Sequence, residues 1–189
     1  MERNVKDLDL NTALAEHRAA MDSVAGMAAQ LHQAVRMIRE AFAAGRRLFV
    51  CGNGGSAADA QHLAAELTGR FEKERRGYPA MALSTDTSAL TSIGNDYGFD
   101  HIFARQLEAL AARGDVLVAI TTSGNSPNIV KAVEQARAMG VRTIGLLGRD
   151  GGACAERVDV PLVVSVQRTA RIQEAHVVIL HLLCEGLDA

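Results

Sequence analysis

Two residues on one short stretch have the types and spacing for proton chemistry. In "CGNGGSAADAQHLAAELTGRF", running from Cys51 to Phe71, His62 and Glu66 stand four apart. On a helix that spacing puts both on one face. An H-x-x-x-E pair there can hold one Zn²⁺, or set a carboxylate base beside a polar partner. Alone, such a pair reads as a solvated surface feature, but the residues ahead of it change the reading. "GNGGSAAD" combines three glycines and an asparagine with Ser56, which is placed to cap the helix that follows. A helix N-terminus with free N–H groups favours an anion. The loop has no lysine after its glycines, so it is not a P-loop, and Ala57 breaks the G-x-G-x-x-G pattern.

A second loop, "TTSGNSPN" from Thr121 to Asn128, gathers four hydroxyls with Gly and Asn between them. Thr122, Ser123 and Ser126 can donate to phosphate oxygens together with backbone N–H groups. A polar loop without charge suits a phosphomonoester held by many neutral donors. Each loop alone reads equally well as a tight, capped turn. Two of them after two central strands point to a shared anion site.

The elements that must position these loops follow from hydrophobic periodicity. From about Leu10 to Ala44, apolar residues such as Met21, Val24, Met27, Ala28, Leu31, Val35 and Ile38 recur at helical spacing, which predicts one long helix or two, with Gly45 as the stop. Beyond it, "RLFVCG", "PAMALS", "DVLVAIT", "VRTIGLLG" and "DVPLVVS" read as five strands. Helices are expected at about 56–67, 87–93, 102–112 and 126–140, with a short helix or turn at 151–158 and a last helix over 170–187. Strands alternating with helices imply a parallel sheet covered on both faces. Ligands of such sheets bind beyond the carboxyl ends of the strands, which is where both loops fall.

Composition narrows the function classes. The chain has 189 residues, 48% hydrophobic and only 4% aromatic, with a net charge of −2. It is read as one domain, 1–189, with a helical segment to about 44 and the sheet-containing core after it. No global basic field points to nucleic acid. No apolar run approaches the roughly 20 residues of a membrane span, and the charged N-terminus lacks a signal-peptide core. The expectation is a cytoplasmic protein with no nucleic-acid or membrane partner. Cys51, Cys154 and Cys184 are scattered and are read as buried, reduced thiols.

"CGNGGSAADAQH" together with "TTSGNSPN" resembles the sugar isomerase (SIS) family. The resemblance implies a three-layer α/β sandwich, flavodoxin-like, whose five-stranded parallel sheet is flanked by helices. It implies that Thr121, Thr122, Ser123 and Ser126 hold a sugar phosphate. "GYPAMALSTDTS", "IGNDYGF", "GDVLVAITTSGNSPNIVKA" and "RIQEAHVVILH" extend the likeness over roughly Leu10 to Leu187. These motifs are similar to bacterial phosphoheptose isomerases, a family that converts sedoheptulose 7-phosphate to D-glycero-D-manno-heptose 7-phosphate for lipopolysaccharide core or S-layer glycans.

That likeness implies roles residue by residue. His62, Glu66, Gln173 and His181 would surround one Zn²⁺ per subunit. Glu66 would move the proton, with His181 as its acid/base partner. Asn53, Gly54, Gly55, Asn95 and Asp96 would line the sugar, with Ser56 and Arg70 nearby. "IGNDYG" reads alternatively as an irregular turn, and His176 as structural. Gln173 and His181 are eight residues apart, about 12 Å along a helix axis. They serve one small site only if their side chains converge or a second subunit contributes. The family's homotetramers, with sites at subunit contacts, would supply the latter. In one respect the chain departs from the family: Gln167, Arg168, Thr169 and Ala170 stand where relatives often carry an Asp before "RIQE".

The rival reading comes from another class. "RTARIQEAH" and "LCEGLD" also resemble a non-enzymatic SIS scaffold, a homotetramer that binds the replication initiator DnaA. That type lacks the acid after "AQH" and has Asn in place of His181, whereas this chain carries both Glu66 and His181. A sensory sugar-phosphate module would need a DNA-binding segment, for which the chain has neither room nor basic stretch.

Overall fold

The computed structural model describes residues 9–189; the part of the N-terminal helical expectation that falls on residues 1–8 lies outside them. Helices α1 (Leu10–Ala25) and α2 (Ala28–Ala43) break at Gly26, so the long N-terminal pattern is two helices. Asp9 caps α1 by accepting from the Thr12 amide. Then follow β1 (Leu48–Gly52), α3 (Gly55–Thr68), β2 (Ala80–Ala82), α4 (Thr87–Tyr97), a 3-10 turn (Phe99–His101) and α5 (Ala104–Leu110). The chain continues through β3 (Val116–Thr121), α6 (Pro127–Ala138), β4 (Arg142–Gly148), α7 (Gly152–Ala155), β5 (Val160–Val164) and α8 (Thr169–Asp188).

The five strands are all parallel, in the order β2-β1-β3-β4-β5. Alternate side chains of each strand point to opposite faces. Leu48, Val50, Val116, Val118, Ile120, Ile144 and Leu146 face a core shared with α1, α2, α3 and α8. Phe49, Cys51, Leu117, Ala119 and Leu147 face a second core built with α5, α6 and α7. Every residue of β1 and of β3 is buried, as expected of strands covered on both sides. Cys51, Cys154 and Cys184 are free, buried thiols.

This strand order reverses between β1 and β3. From β1 the chain crosses outward to β2, then returns past β1 to β3. The register pairs Gly52 with Ile120, so the loops leaving β1 and β3 emerge side by side at the switch point. Among the described residues, no helix is long and apolar enough to cross a membrane.

Candidate active site

The first loop folds as strand, glycine turn and helix, but its cap differs from expectation. Gly54, at φ 55°, occupies the N-cap of α3, and Ser56 lies buried within the first turn instead. The Ser56 amide donates to the Asn53 carbonyl. Glycine takes the cap because the chain must reverse there with positive φ, which Ser56 would adopt only under strain. That leaves the α3 N-terminus without a side-chain cap among the described residues, its first-turn amides donating instead to the Asn53 and Gly54 carbonyls.

The second loop turns its hydroxyls toward one another. Thr121 Oγ1 lies 3.2 Å from Ser126 Oγ and 3.5 Å from Ser123 Oγ. Ser126 is the N-cap of α6 but makes no capping bond through its side chain; its hydroxyl joins the Thr121 cluster. Gly124, at φ 68°, lets the loop pass against Gly151, whose carbonyl oxygen would stand 2.0 Å from an added Cβ. Asn125 fastens the same loop by accepting from the Ala153 amide at 2.8 Å.

Asn53 and Asn128 tie the two loops together. Each amide donates to the other's Oδ1 at 2.8 Å. Asn128 is almost fully buried. No sequence signal singles it out, because its role depends on a partner 75 positions away.

The proton-chemistry residues meet on the seam between α3 and α8. His62 Nε2 lies 3.3 Å from Glu66 Oε1 and 3.3 Å from His181 Nε2. The two imidazoles are edge-on, 5.0 Å between centroids, and Phe71 lies against His181. Glu66 and His62 are partly open to solvent, with side chains 26% and 37% exposed, so a ligand can reach them. Asp59, one turn before His62, is buried with one carboxylate oxygen unpartnered among the described residues. Burial raises its pKa, and His62 pulls the other way.

Gln173 reaches α3 at a different point. Its amide packs on Gly55, where an added Cβ would stand 2.1 Å from Nε2. Gln173 therefore opposes Gly55 while His181 opposes His62, which makes α3 and α8 run side by side in the same direction. Other proposed residues lie apart in this chain. Arg70 is exposed past the end of α3 and pairs with Glu74. Asn95 and Asp96 are exposed on the last turn of α4, the Asn95 amide donating to Asp96; the segment is helical through Tyr97, not an irregular turn.

Two ligands of one tetrahedral zinc at usual bond lengths stand about 3.3 Å apart. His62 keeps that separation from both Glu66 and His181, so this donor pairing suits the ion. Among the described residues, however, no three His, Cys, Asp or Glu side chains form a ready-made metal cage. A full ligand set needs Gln173, a second subunit or the ligand itself. His176 stays out of the site. It is wholly buried in α8, both ring nitrogens unpartnered among the described residues, and burial lowers its pKa to about 4.

The sequence and the fold match known proteins. The SIS domain family matches residues 14–148. A phosphoheptose isomerase from Geotalea daltonii is 54% identical over 95% of this chain and 94% of its own length. The chain belongs to the phosphoheptose isomerase family. The structure of the phosphoheptose isomerase from Neisseria gonorrhoeae superposes with a TM-score of 0.89 at 46% identity, covering 95% of this chain and 96% of that one. A phosphoheptose isomerase from Francisella tularensis gives 0.90 at 38% identity, over 94% and 95%. The hydroxyl loop after β3 and the His62–Glu66–His181 group thus lie on a chain whose fold matches these structures.

Proposed function

We propose that this chain converts sedoheptulose 7-phosphate to D-glycero-D-manno-heptose 7-phosphate, the opening step toward a nucleotide-activated heptose. The observation that carries the reading is the meeting of Glu66 and His181 at His62, on a helix that begins at a phosphate-type loop. The α3 N-terminus and the Thr121–Ser126 loop hold the phosphate with neutral donors. From Gly55 to His62 is about 10 Å along α3. A ligand anchored at the loops must therefore be extended to bring its reacting carbons to the acid and base, which suits a seven-carbon chain.

Moving the carbonyl between C1 and C2 takes a proton from one carbon and returns it to the other through a cis-enediolate. Glu66 removes and returns that proton, and His181 moves the hydroxyl proton. Asn53, Gly54 and Gly55 line the sugar. His62, Glu66, Gln173 and His181 would hold Zn²⁺, which when bound supplies Lewis-acid stabilisation of the oxyanion. The working unit is a cytoplasmic homotetramer. Its partner subunits bring Asn95, Asp96 and Arg70, exposed in the single chain, toward a neighbouring site. The scaffold reading is set aside, because the relatives compared above carry the isomerase's name and the two residues a scaffold would not need stand together.

The test is incubation of purified protein with sedoheptulose 7-phosphate, with and without Zn²⁺, following the aldose by NMR. Turnover is expected, and it disappears in Glu66→Gln and His181→Ala. No turnover by folded, zinc-loaded protein overturns the proposal.

A further inference from the structure

Glu66 and His181 stand on different helices, so the distance between them depends on how α3 and α8 slide past each other. One half-buried ion pair spans the ends of the two helices. Helix α3 ends at Thr68, leaving its last carbonyls without helical partners. Arg75 takes two of them: Nη2 donates to the Glu66 carbonyl and Nη1 to the Leu67 carbonyl, both at 3.1 Å. A guanidinium at a helix C-terminus also opposes the negative end of the macrodipole. Nε of the same Arg75 donates to Asp188 Oδ1 at 2.8 Å, and the other oxygen of Asp188 accepts from the Glu72 and Lys73 amides at 3.1 Å. Asp188 belongs to the last turn of α8. It lies seven residues, or two turns, beyond His181 and so on the same side of the helix. The pair is well shielded, with side chains 14% and 5% exposed. Arg75 lies 4.2 Å over the Tyr78 ring, and Tyr78 stacks in turn on Phe42 of α2.

We propose that Arg75 and Asp188 are positioning residues. They clamp the end of α3 to the end of α8, and so set the relation of Glu66 to His62 and His181. This role rests on the reading of Glu66 and His181 as the proton-transfer pair. The clamp acts at the backbone of Glu66 itself, while the phosphate loops lie at the opposite end of α3. It therefore governs the rate of the chemical step more than binding of the phosphate. A lysine at position 75 would keep the charge but not the fork that spans two carbonyls and a carboxylate.

The experiment compares the full-length protein with Arg75→Lys and Asp188→Asn. With Zn²⁺ and sedoheptulose 7-phosphate, kcat is expected to fall tenfold or more in both, with KM within threefold. Inorganic phosphate, titrated by ³¹P NMR, should bind within twofold of the original affinity. In metal-free protein, long-range ¹H–¹⁵N spectra should show the His62 and His181 imidazole signals displaced. Unmoved imidazole signals overturn the clamp whatever the rate does, and moved signals with kcat within twofold overturn it as well. If the unmodified protein turns over no substrate, the isomerase reading fails, and the imidazole spectra alone decide the clamp. Should Arg75→Lys fail to fold, Asp188→Asn, which keeps size and shape, carries the test.

Discussion

His62 and His181 are 119 positions apart in the chain, yet their Nε2 atoms lie 3.3 Å from one another and His62 is as close to Glu66. Removing the carboxylate as Glu66→Gln leaves shape and phosphate loops intact. It should lower kcat by about 10²–10⁴ while inorganic phosphate still binds, a split that steady-state rates and ³¹P titration together resolve. Asn128 allows a second prediction at this scale. Its buried amide exchanges two hydrogen bonds with Asn53, so Asn128→Ala leaves Asn53 with unpaired polar atoms. The cost should be about 1–3 kcal/mol in urea unfolding, with a rise in KM as the two loops lose their tie. The H-x-x-x-E pair was legible because both residues lie on one helix. Asn128 and the Arg75–Asp188 pair were not, since cross-chain pairing leaves no local pattern. Ser56 was misread as a cap because serine is a good cap by type, whereas the backbone at Gly54 demands positive φ.

Among the elements, α3 and α8 form the seam that carries the chemistry, and two glycines, one on that seam and one in the loop after β3, respond differently to a methyl group. At Gly55 the nearest atoms an added methyl meets are the far end of a side chain, the Gln173 amide. Gly55→Ala should therefore fold with little loss of melting temperature but displace Gln173 and cut turnover. At Gly124 the obstruction is backbone, the Gly151 carbonyl, and φ is 68°. Gly124→Ala should cost stability directly, on the order of 1–3 kcal/mol from strain alone, seen as a lower midpoint in urea. The five strands were readable as apolar runs bounded by turn residues, and all five stand where those runs predict. The end of α4 was less so. Gly94, Asn95 and Asp96 favour turns by type, yet a helix capped by Asp86 carries through them to Tyr97.

For the whole molecule, acid stability follows from one buried group, His176, and one half-buried group, Asp188. His176 is wholly buried and its pKa is lowered to about 4 by that burial. The unfolded chain takes up a proton near pH 6.5, the folded one only near 4. The contribution of neutral His176 is thus complete above pH 6.5 and lost as the pH falls to about 4. Full loss amounts to roughly 3 kcal/mol. His176→Leu should flatten the pH dependence of urea unfolding across that window; an unchanged slope would refute the assignment. Asp188 acts lower. Its hydrogen bond from Arg75 leads in holding its pKa near 2. Its contribution is complete above the ordinary carboxylate range and disappears as the pH falls toward 2. The three-layer arrangement itself was evident from the alternation of strands and helices. The pairing of Gln173 with Gly55 was not, because eight residues on one helix reveal nothing of which neighbour each will face.

The placement of α8 has a consequence during synthesis. Helix α8 closes the core formed by α1, α2, α3 and one face of the sheet, yet it is the last element of the chain. At about 5–20 residues per second, a ribosome that has completed β1 needs on the order of ten seconds more to reach Thr169. As they are added during that interval, Val50, Val118 and Leu146 join an apolar face missing one of its covering helices, and Glu66 has yet to meet His181. A nascent chain stalled before α8 should therefore be the aggregation-prone and inactive form. Chaperone capture should be high for ribosome-bound chains and drop once residues 169–188 have left the ribosome and α8 can pack.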